Sequence, residues 1–342
     1  MKLKKNVFVN AINMHSGGGR TLMNGLLKGL IERKEKVFLY VDKRFNVNYN
    51  LPKSINLIKI NKFSRYKIDS LINKKVKSND IIIYFGNLPP LINFKTQNVK
   101  LLLSSRFYVD SINMKGFKLI DILKIYFEKI YFQLFIKNVS EIIVQTSSMS
   151  NKLRQFGFKK KISVLPYDDI DRNSGFNEKI IKKPSTFIYV ASLLPYKNHK
   201  RLLNAWYLLK KSNINPKLYL TIDEKNNTEK WIRNFINNHN LNVELLENLN
   251  RDELIKKYIE TEVLIYPSLF EAYGLPLIEA KKYNMKIISS DLDYCWDFLT
   301  PDDFFNPYDH NSIYRSIKRY LNIEPNLDKV VSPKEFLNKV ID

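Results

Sequence analysis

The chain has 342 residues, 44% of them hydrophobic and 26% charged, so it is long enough for two buried cores and ordinary in composition for a globular protein. Its one cysteine, Cys295, excludes a disulfide framework and a cysteine-based zinc site, and it fits a reducing compartment. The net charge of +22 is uneven: residues 1–170 hold 31 Lys+Arg against 11 Asp+Glu, or +20, and residues 171–342 hold 25 against 23, or +2. A basic half joined to a near-neutral half points to an anionic partner, either nucleic acid or an anionic membrane surface; the other reading is a lysine-rich, solubilising surface.

The opening MKLKKNVFVNAINMHSGGG begins like a secretion signal, but its apolar run is short and is broken by Asn10 and Asn13. Residues 5–12 therefore read as a first strand, and Gly17, Gly18 and Gly19 as a turn. Residues 21–32 have helical spacing, with Leu22, Leu26, Leu27, Leu30 and Ile31 on one side. Residues 36–41, 80–85 (DIIIYF), 99–103 and 141–145 (EIIVQ) read as buried strands. Residues 166–184 are polar, carry Asp168, Asp169 and Asp171 with two prolines, and read as a linker.

Beyond it the alternation resumes. Residues 185–191, 217–222, 262–266 and 286–289 read as strands; residues 200–211, 251–260 behind an Asn250 cap, and 276–283 read as helices. Such βαβ alternation predicts mostly parallel sheets with helices on both faces. The expected division is 1–165, linker 166–184, 185–325, and a tail 326–342 with a final helix from 332. No stretch approaches the ~20 uninterrupted apolar residues that span a bilayer.

The run LFEAYGLPLIEA holds Glu271 and Glu279 with Gly274-Leu275-Pro276 between them. Proline suits the first turn of a helix, and glycine before it permits close backbone approach. A helix mouth there presents free N–H groups and a positive dipole, which suit a diphosphate. Glu271 falls in the loop and Glu279 in the first turn, and a carboxylate facing two vicinal hydroxyls holds a ribose in dinucleotide sites. On spacing alone, a surface helix with chance glutamates is the better reading.

The longer run YPSLFEAYGLPLIEA resembles the Glu-x7-Glu signature of retaining GT-B glycosyltransferases, specifically glycosyltransferase family 4. FIYVASLLPYKNHKRLLNAW upstream resembles that family's other donor motif, and SGGGRTLMNGLLKGL and EIIVQTSSMSNKL resemble its glycine-rich first turn and the strand and turn closing its N-terminal domain. The resemblance implies an α/β fold of two Rossmann-like parallel-sheet domains facing across a cleft. It implies that Glu279 holds the nucleotide ribose, that Glu271 lies near the donor sugar and its phosphate, and that Gly274 and Leu275 offer N–H groups to the diphosphate. Lys197 matches the lysine that neutralises the departing diphosphate, where charge develops in the transition state. Ser192 is expected on the donor side, with Gly17, Gly18 and Gly19 across the cleft.

The chain departs from the family at two places. The usual Gly-Arg after the strand at 185–191 is here Ala191-Ser192, leaving Lys200, Arg201 or Arg106 as substitutes. The usual histidine after the strand at 99–103 gives way to LLLSSRFYVD, with Arg106 and Tyr108; Arg106 is thus an acceptor-side candidate, and His15 is the one histidine near the glycine turn. The implied mechanism is front-face attack with retention, the leaving phosphate taking the acceptor proton, and no metal or cofactor. Asp291-Leu-Asp293 has metal-motif spacing but reads as a loop.

The segment GFKLIDILKIYFEKIYFQLFIKN (116–138) is apolar with interleaved lysines, suited either to a membrane interface or to core packing. In a family whose N-terminal domain takes the acceptor, a +20 N-terminal half is expected to meet an anionic inner-membrane surface and a lipid-linked oligosaccharide. The expected protein is cytoplasmic, peripheral on the cytoplasmic face of a bacterial inner membrane, and takes a nucleotide-sugar donor and no nucleic acid. Its expected role is surface polysaccharide assembly of the O-antigen or capsule type. The second reading is a catalytically inactive scaffold of the same fold that binds membrane or nucleic acid.

Overall fold

The computed structural model describes residues 5–14, 17–47, 50–61, 65–167, 182–222, 225–247, 249–323 and 331–341. The N-terminal half runs β1 (Asn6–Ala11), α1 (Gly17–Ile31), β2 (Lys36–Asp42), β3 (Ile55–Ile60), α2 (Arg65–Asn73), β4 (Ile81–Phe85), β5 (Val99–Leu102), α3 (Leu119–Phe135), β6 (Glu141–Val144), α4 (Ser147–Gln155) and β7 (Lys161–Val164). The C-terminal half runs β8 (Lys183–Tyr189), α5 (His199–Lys211), β9 (Lys217–Ile222), α6 (Asn227–His239), β10 (Val243–Glu247), α7 (Arg251–Glu260), β11 (Thr261–Tyr266), α8 (Leu275–Lys282), β12 (Lys286–Ser290), α9 (Asp293–Trp296), β13 (Asp303–Phe305), α10 (His310–Tyr320) and α11 (Pro333–Ile341).

These strands form two sheets. The first has seven strands in the order β3-β2-β1-β4-β5-β6-β7, and the second has six in the order β10-β9-β8-β11-β12-β13. Neighbouring strands pair in parallel throughout, as in Phe8 opposite Phe38 and Ile82, and Leu264 opposite Ile188 and Ile287. Parallel sheets must be covered on both faces, which is why the central strands are near-continuous buried runs such as Phe8-Val9 and Val263-Leu264-Ile265-Tyr266. Phe187, Leu203, Leu218 and Leu264 anchor one core, and Phe8, Tyr84, Leu101 and Ile142 another, each of them buried. The chain is thus two doubly wound α/β units of the GT-B kind.

Both sheets reverse direction beside their first strand, between β1 and β4 and between β8 and β11. Ligands of doubly wound sheets bind at that switch point, beyond the carboxyl ends of the strands. The segments leaving β1, β8 and β11 carry the expected site residues except Arg106, which follows β5.

Several readings change. Gly17, Gly18 and Gly19 are the first turn of α1, not a turn before it. Glu279 lies in the second turn of α8, because that helix starts at Leu275. The strand expected from 185 starts at Lys183, inside the segment read as linker; residues 168–181, with Asp168, Asp169 and Asp171, lie outside the described residues, as does His15. Asp293 begins the short helix α9 rather than sitting in a loop. The segment 116–138 enters the core only through Phe132, which is buried against Tyr108 and Phe156, with Ile136 packed partly against it; most of its other apolar side chains are exposed.

Candidate active site

A cleft of about 710 Å³ opens between the two sheets. Gly18, Gly19, Ser104 and Gln145 line it from the N-terminal half, and Ser192, Lys197, Arg251, Glu271, Gly274, Leu275 and Glu279 from the other. Gly18 is held close to the opposite wall: a Cβ there would stand 3.2 Å from Leu275 Cδ1. Gly18 thus gives the two domains room to approach at the cleft.

Lys197 sits on a one-turn 3-10 helix after β8, and the next residue, Asn198, has φ +63°. That left-handed turn is fixed by the Asn198 side-chain amide, which donates to the carbonyls of Pro267 and Pro307. Lys197 Nζ donates to Glu271 Oε1 at 2.5 Å, and the Tyr266 hydroxyl donates to the same oxygen at 2.9 Å. His199 packs behind them against Tyr189; burial first, and then the Lys197 charge, push its pKa down to about 3, so it is neutral. The ring beside Lys197, Tyr196, has its pKa raised by burial and by the Glu271 charge.

Gly274 takes φ +73° ahead of α8, where a Cβ would also meet Leu277 Cδ1 at 3.1 Å. Leu275 and Pro276 then open the helix and line the cleft with Glu271, so the start of α8 lies at the cleft wall. Glu279 lines the same wall but is buried, and both its oxygens are engaged. Arg251 Nη1 reaches Oε1 at 2.6 Å, and the Tyr258 hydroxyl donates to Oε2 at 2.8 Å. Burial works against the Arg251 charge, and Glu279 outweighs it and raises the pKa.

The structure therefore brings Lys197, Glu271, Gly274, Leu275, Glu279, Ser192, Gly18 and Gly19 together. It does not bring Arg106 onto the cleft wall. Arg106 is buried beside it, with Nε on Asp110 at 2.7 Å and its two terminal nitrogens on Asp293, also at 2.7 Å. Nor does it bring Lys200 or Arg201 there: Lys200 covers the Trp231 ring and Arg201 donates to Asn198. Two cleft residues were not singled out from the sequence. Neither was named as a site residue: Arg251 was placed at the start of a helix and Gln145 at the end of a strand. Gln145 is 2% exposed, and neither end of its side-chain amide has a partner among the described residues.

Residues 171–334 match the model of the family described as glycosyl transferases group 1. The C-terminal half thus carries a glycosyl transferases group 1 domain, set on a two-sheet fold with a cleft between the sheets. Across 256 residues, 70% of this chain, it is 25% identical to the O-antigen chain mannosyltransferase RfbU of Salmonella typhimurium, covering 69% of that protein. Across 109 residues, 31% of this chain, it is 29% identical to the serotype-specific mannosyltransferase WbdA of Escherichia coli, a stretch spanning only 13% of that larger protein. Among solved structures it resembles WaaG, a glycosyltransferase involved in lipopolysaccharide biosynthesis, with a TM-score of 0.67 at 13% identity over 93% of this chain and 90% of that one. At that identity the likeness shows the fold.

Proposed function

We propose that this protein is a retaining enzyme of glycosyltransferase family 4. It moves a hexosyl group, mannosyl by similarity to RfbU and WbdA, from a nucleotide diphosphate donor to a lipid-linked glycan during assembly of an O-antigen or capsule-type polysaccharide. The observation that carries this reading is the wall formed by Lys197, Glu271, the start of α8 and Glu279, which sets a lysine, a helix N-terminus and two carboxylates around one cleft. The diphosphate lies at the α8 N-terminus against Lys197, whose charge stabilises the leaving group. The ribose lies at Glu279, with Arg251 and Tyr258 orienting that carboxylate. Arg251 also supplies the arginine that the Ala191-Ser192 pair lacks. Lys197 and the helix dipole carry the positive charge of the reaction, so no metal or cofactor is required; turnover that persists in EDTA supports this.

The acceptor side faces a membrane. On α3, Leu119, Ile120, Leu123, Tyr126, Phe127, Ile130 and Leu134 are all exposed and recur at helical spacing along one stripe. Exposed Lys118, Lys124 and Lys137 flank them. Among the described residues no helix is long and apolar enough to cross a membrane. An apolar stripe rimmed by lysines suits the interface of an anionic bilayer. The helix begins beside the donor site, because Phe117 stacks on Tyr196 at 6.2 Å. A lipid-linked acceptor held at that surface reaches the cleft without leaving the membrane.

A thermal-shift screen against UDP, GDP, dTDP and their sugar conjugates tests the reading. A ligand that binds only the native state adds about 2.7 kcal/mol at a hundredfold excess over its dissociation constant. A shift with one nucleotide supports the donor site. No shift with any of them favours an inactive scaffold.

A further inference from the structure

Four consecutive residues of the segment between β11 and α8 are each gripped by the N-terminal half. The Phe270 ring lies 5.0 Å from Phe107 and beneath the Arg106 guanidinium at 5.3 Å. The Glu271 carbonyl accepts from Arg106 Nη1 at 3.4 Å. The Ala272 carbonyl accepts from Thr146 Oγ1 at 3.2 Å, and the Tyr273 hydroxyl donates to the Tyr167 carbonyl at 2.9 Å. On the other side of the Lys197–Glu271 pair, Tyr196 packs against Phe107 at 5.6 Å. Both partners of that pair are thus braced from the opposite domain.

Arg106 is the joint of this grip. Its side chain is 9% exposed, and two N–H groups fork onto Asp293, which is 41% exposed, while a third stays on Asp110 within its own domain. A buried guanidinium is costly to leave unpaired. Asp110 keeps it charged and in place if the domains separate, so the Asp293 fork can form and break without stranding it. A parallel two-bond fork also fixes orientation as well as distance.

We propose that Arg106 is a positioning residue that holds the Glu271 loop from across the domain boundary, so that the donor site takes its working shape only when the domains are closed. This rests on the donor-site reading above. It assigns Arg106 no contact with phosphate or acceptor.

The test is Asp293→Asn, with Arg106→Lys as the second variant and Asp293→Glu as the conservative rescue. The reporter is the Leu269 amide, which donates to the Tyr196 carbonyl at 2.8 Å. In the absence of ligand, its hydrogen exchange is expected to quicken about tenfold in Asp293→Asn and in Arg106→Lys, and to return towards wild type in Asp293→Glu. Hydrolysis of GDP-mannose or UDP-glucose, whichever stabilises the wild type, is expected to lose about tenfold in kcat with KM and nucleotide affinity within about twofold. Wild-type exchange and kcat in both disrupting variants would overturn the proposal. If no nucleotide binds the wild type, the donor-site reading fails, and the ligand-free exchange still decides whether Arg106 holds the loop.

Discussion

Arg251 and Glu279 meet in the cleft wall, Nη1 to Oε1 at 2.6 Å, though they stand 28 residues apart on α7 and α8. Tyr258 completes the arrangement from two turns along α7, so the carboxylate is fixed in place before any ligand arrives. A carboxylate held this way presents its remaining lone pairs in a set direction. Glu279→Ala is expected to abolish the nucleotide-induced thermal shift. It also leaves the Tyr258 hydroxyl buried without a partner, so the ligand-free protein is expected to lose about 1–3 kcal/mol of stability. Tyr258→Phe, which keeps the Arg251 pair, is expected to weaken nucleotide binding several-fold only. Calorimetric titration of both variants separates these outcomes, and an unchanged dissociation constant in Glu279→Ala would remove the ribose role.

Lys197 illustrates a different dependence. Its charge is held against Glu271 in the free protein, and on the proposed mechanism it is needed most when the diphosphate departs. Lys197→Met is expected to cost roughly 10²–10³ in kcat, comparable to removing one oxyanion donor. Nucleotide affinity should fall less, because the α8 N–H groups remain. Equal losses in kcat and affinity would instead mean that Lys197 serves binding alone.

The exposed stripe of α3 makes a prediction at the membrane. Cosedimentation with vesicles containing anionic lipid should retain the wild type and release it at high salt. Leu123→Asp with Phe127→Asp should abolish retention without lowering thermal stability, since both side chains are exposed at 49% and 70%. Retention of the double variant would move the contact to another part of the basic half.

What the sequence revealed and what it concealed divide along physical lines. Buried parallel strands are continuous apolar runs, so DIIIYF and EIIVQ were legible, and Gly274-Leu275-Pro276 marked a helix mouth through local backbone chemistry alone. The helices α6 and α10, NTEKWIRNFINNH and HNSIYRSIKRY, were left unassigned: their buried residues stand one turn apart, Ile232 with Ile236 and Ile313 with Ile317, but among so many asparagines and charges that narrow apolar stripe was overlooked. The three glycines that open α1 read as a turn because glycine is a poor helix former; at Gly18 the close approach of Leu275 from the other domain leaves little room for a side chain. Pairings across the fold were out of reach. Nothing local links Arg106 to Asp293, 187 residues away, or says that the cleft arginine is Arg251 rather than Lys200, Arg201 or Arg106. These depend on where two sheets place their loops, which periodicity does not encode.

Gln145 offers a test of why an unpaired polar group persists in the cleft. Burying both ends of an amide without partners is unfavourable, so Gln145→Leu should leave the ligand-free melting temperature unchanged or raise it. A structural role predicts a fall instead. Chemical denaturation of the two proteins side by side distinguishes the two.

His199 gives the site a pH signature. Its pKa is lowered from 6.5 to about 3, chiefly by burial, with Nε2 unpartnered among the described residues. The unfolded chain therefore binds a proton below pH 6.5 that the folded chain refuses, and the stability His199 contributes above that pH is lost progressively as pH falls towards 3. At pH 5.5 the loss amounts to roughly 1 kcal/mol. His199→Phe keeps a ring against Tyr189 and removes the titration. Urea midpoints at pH 7.5 and 5.5 should therefore lie closer together in His199→Phe than in the wild type. An equal separation in the two proteins would assign the acid sensitivity to other groups.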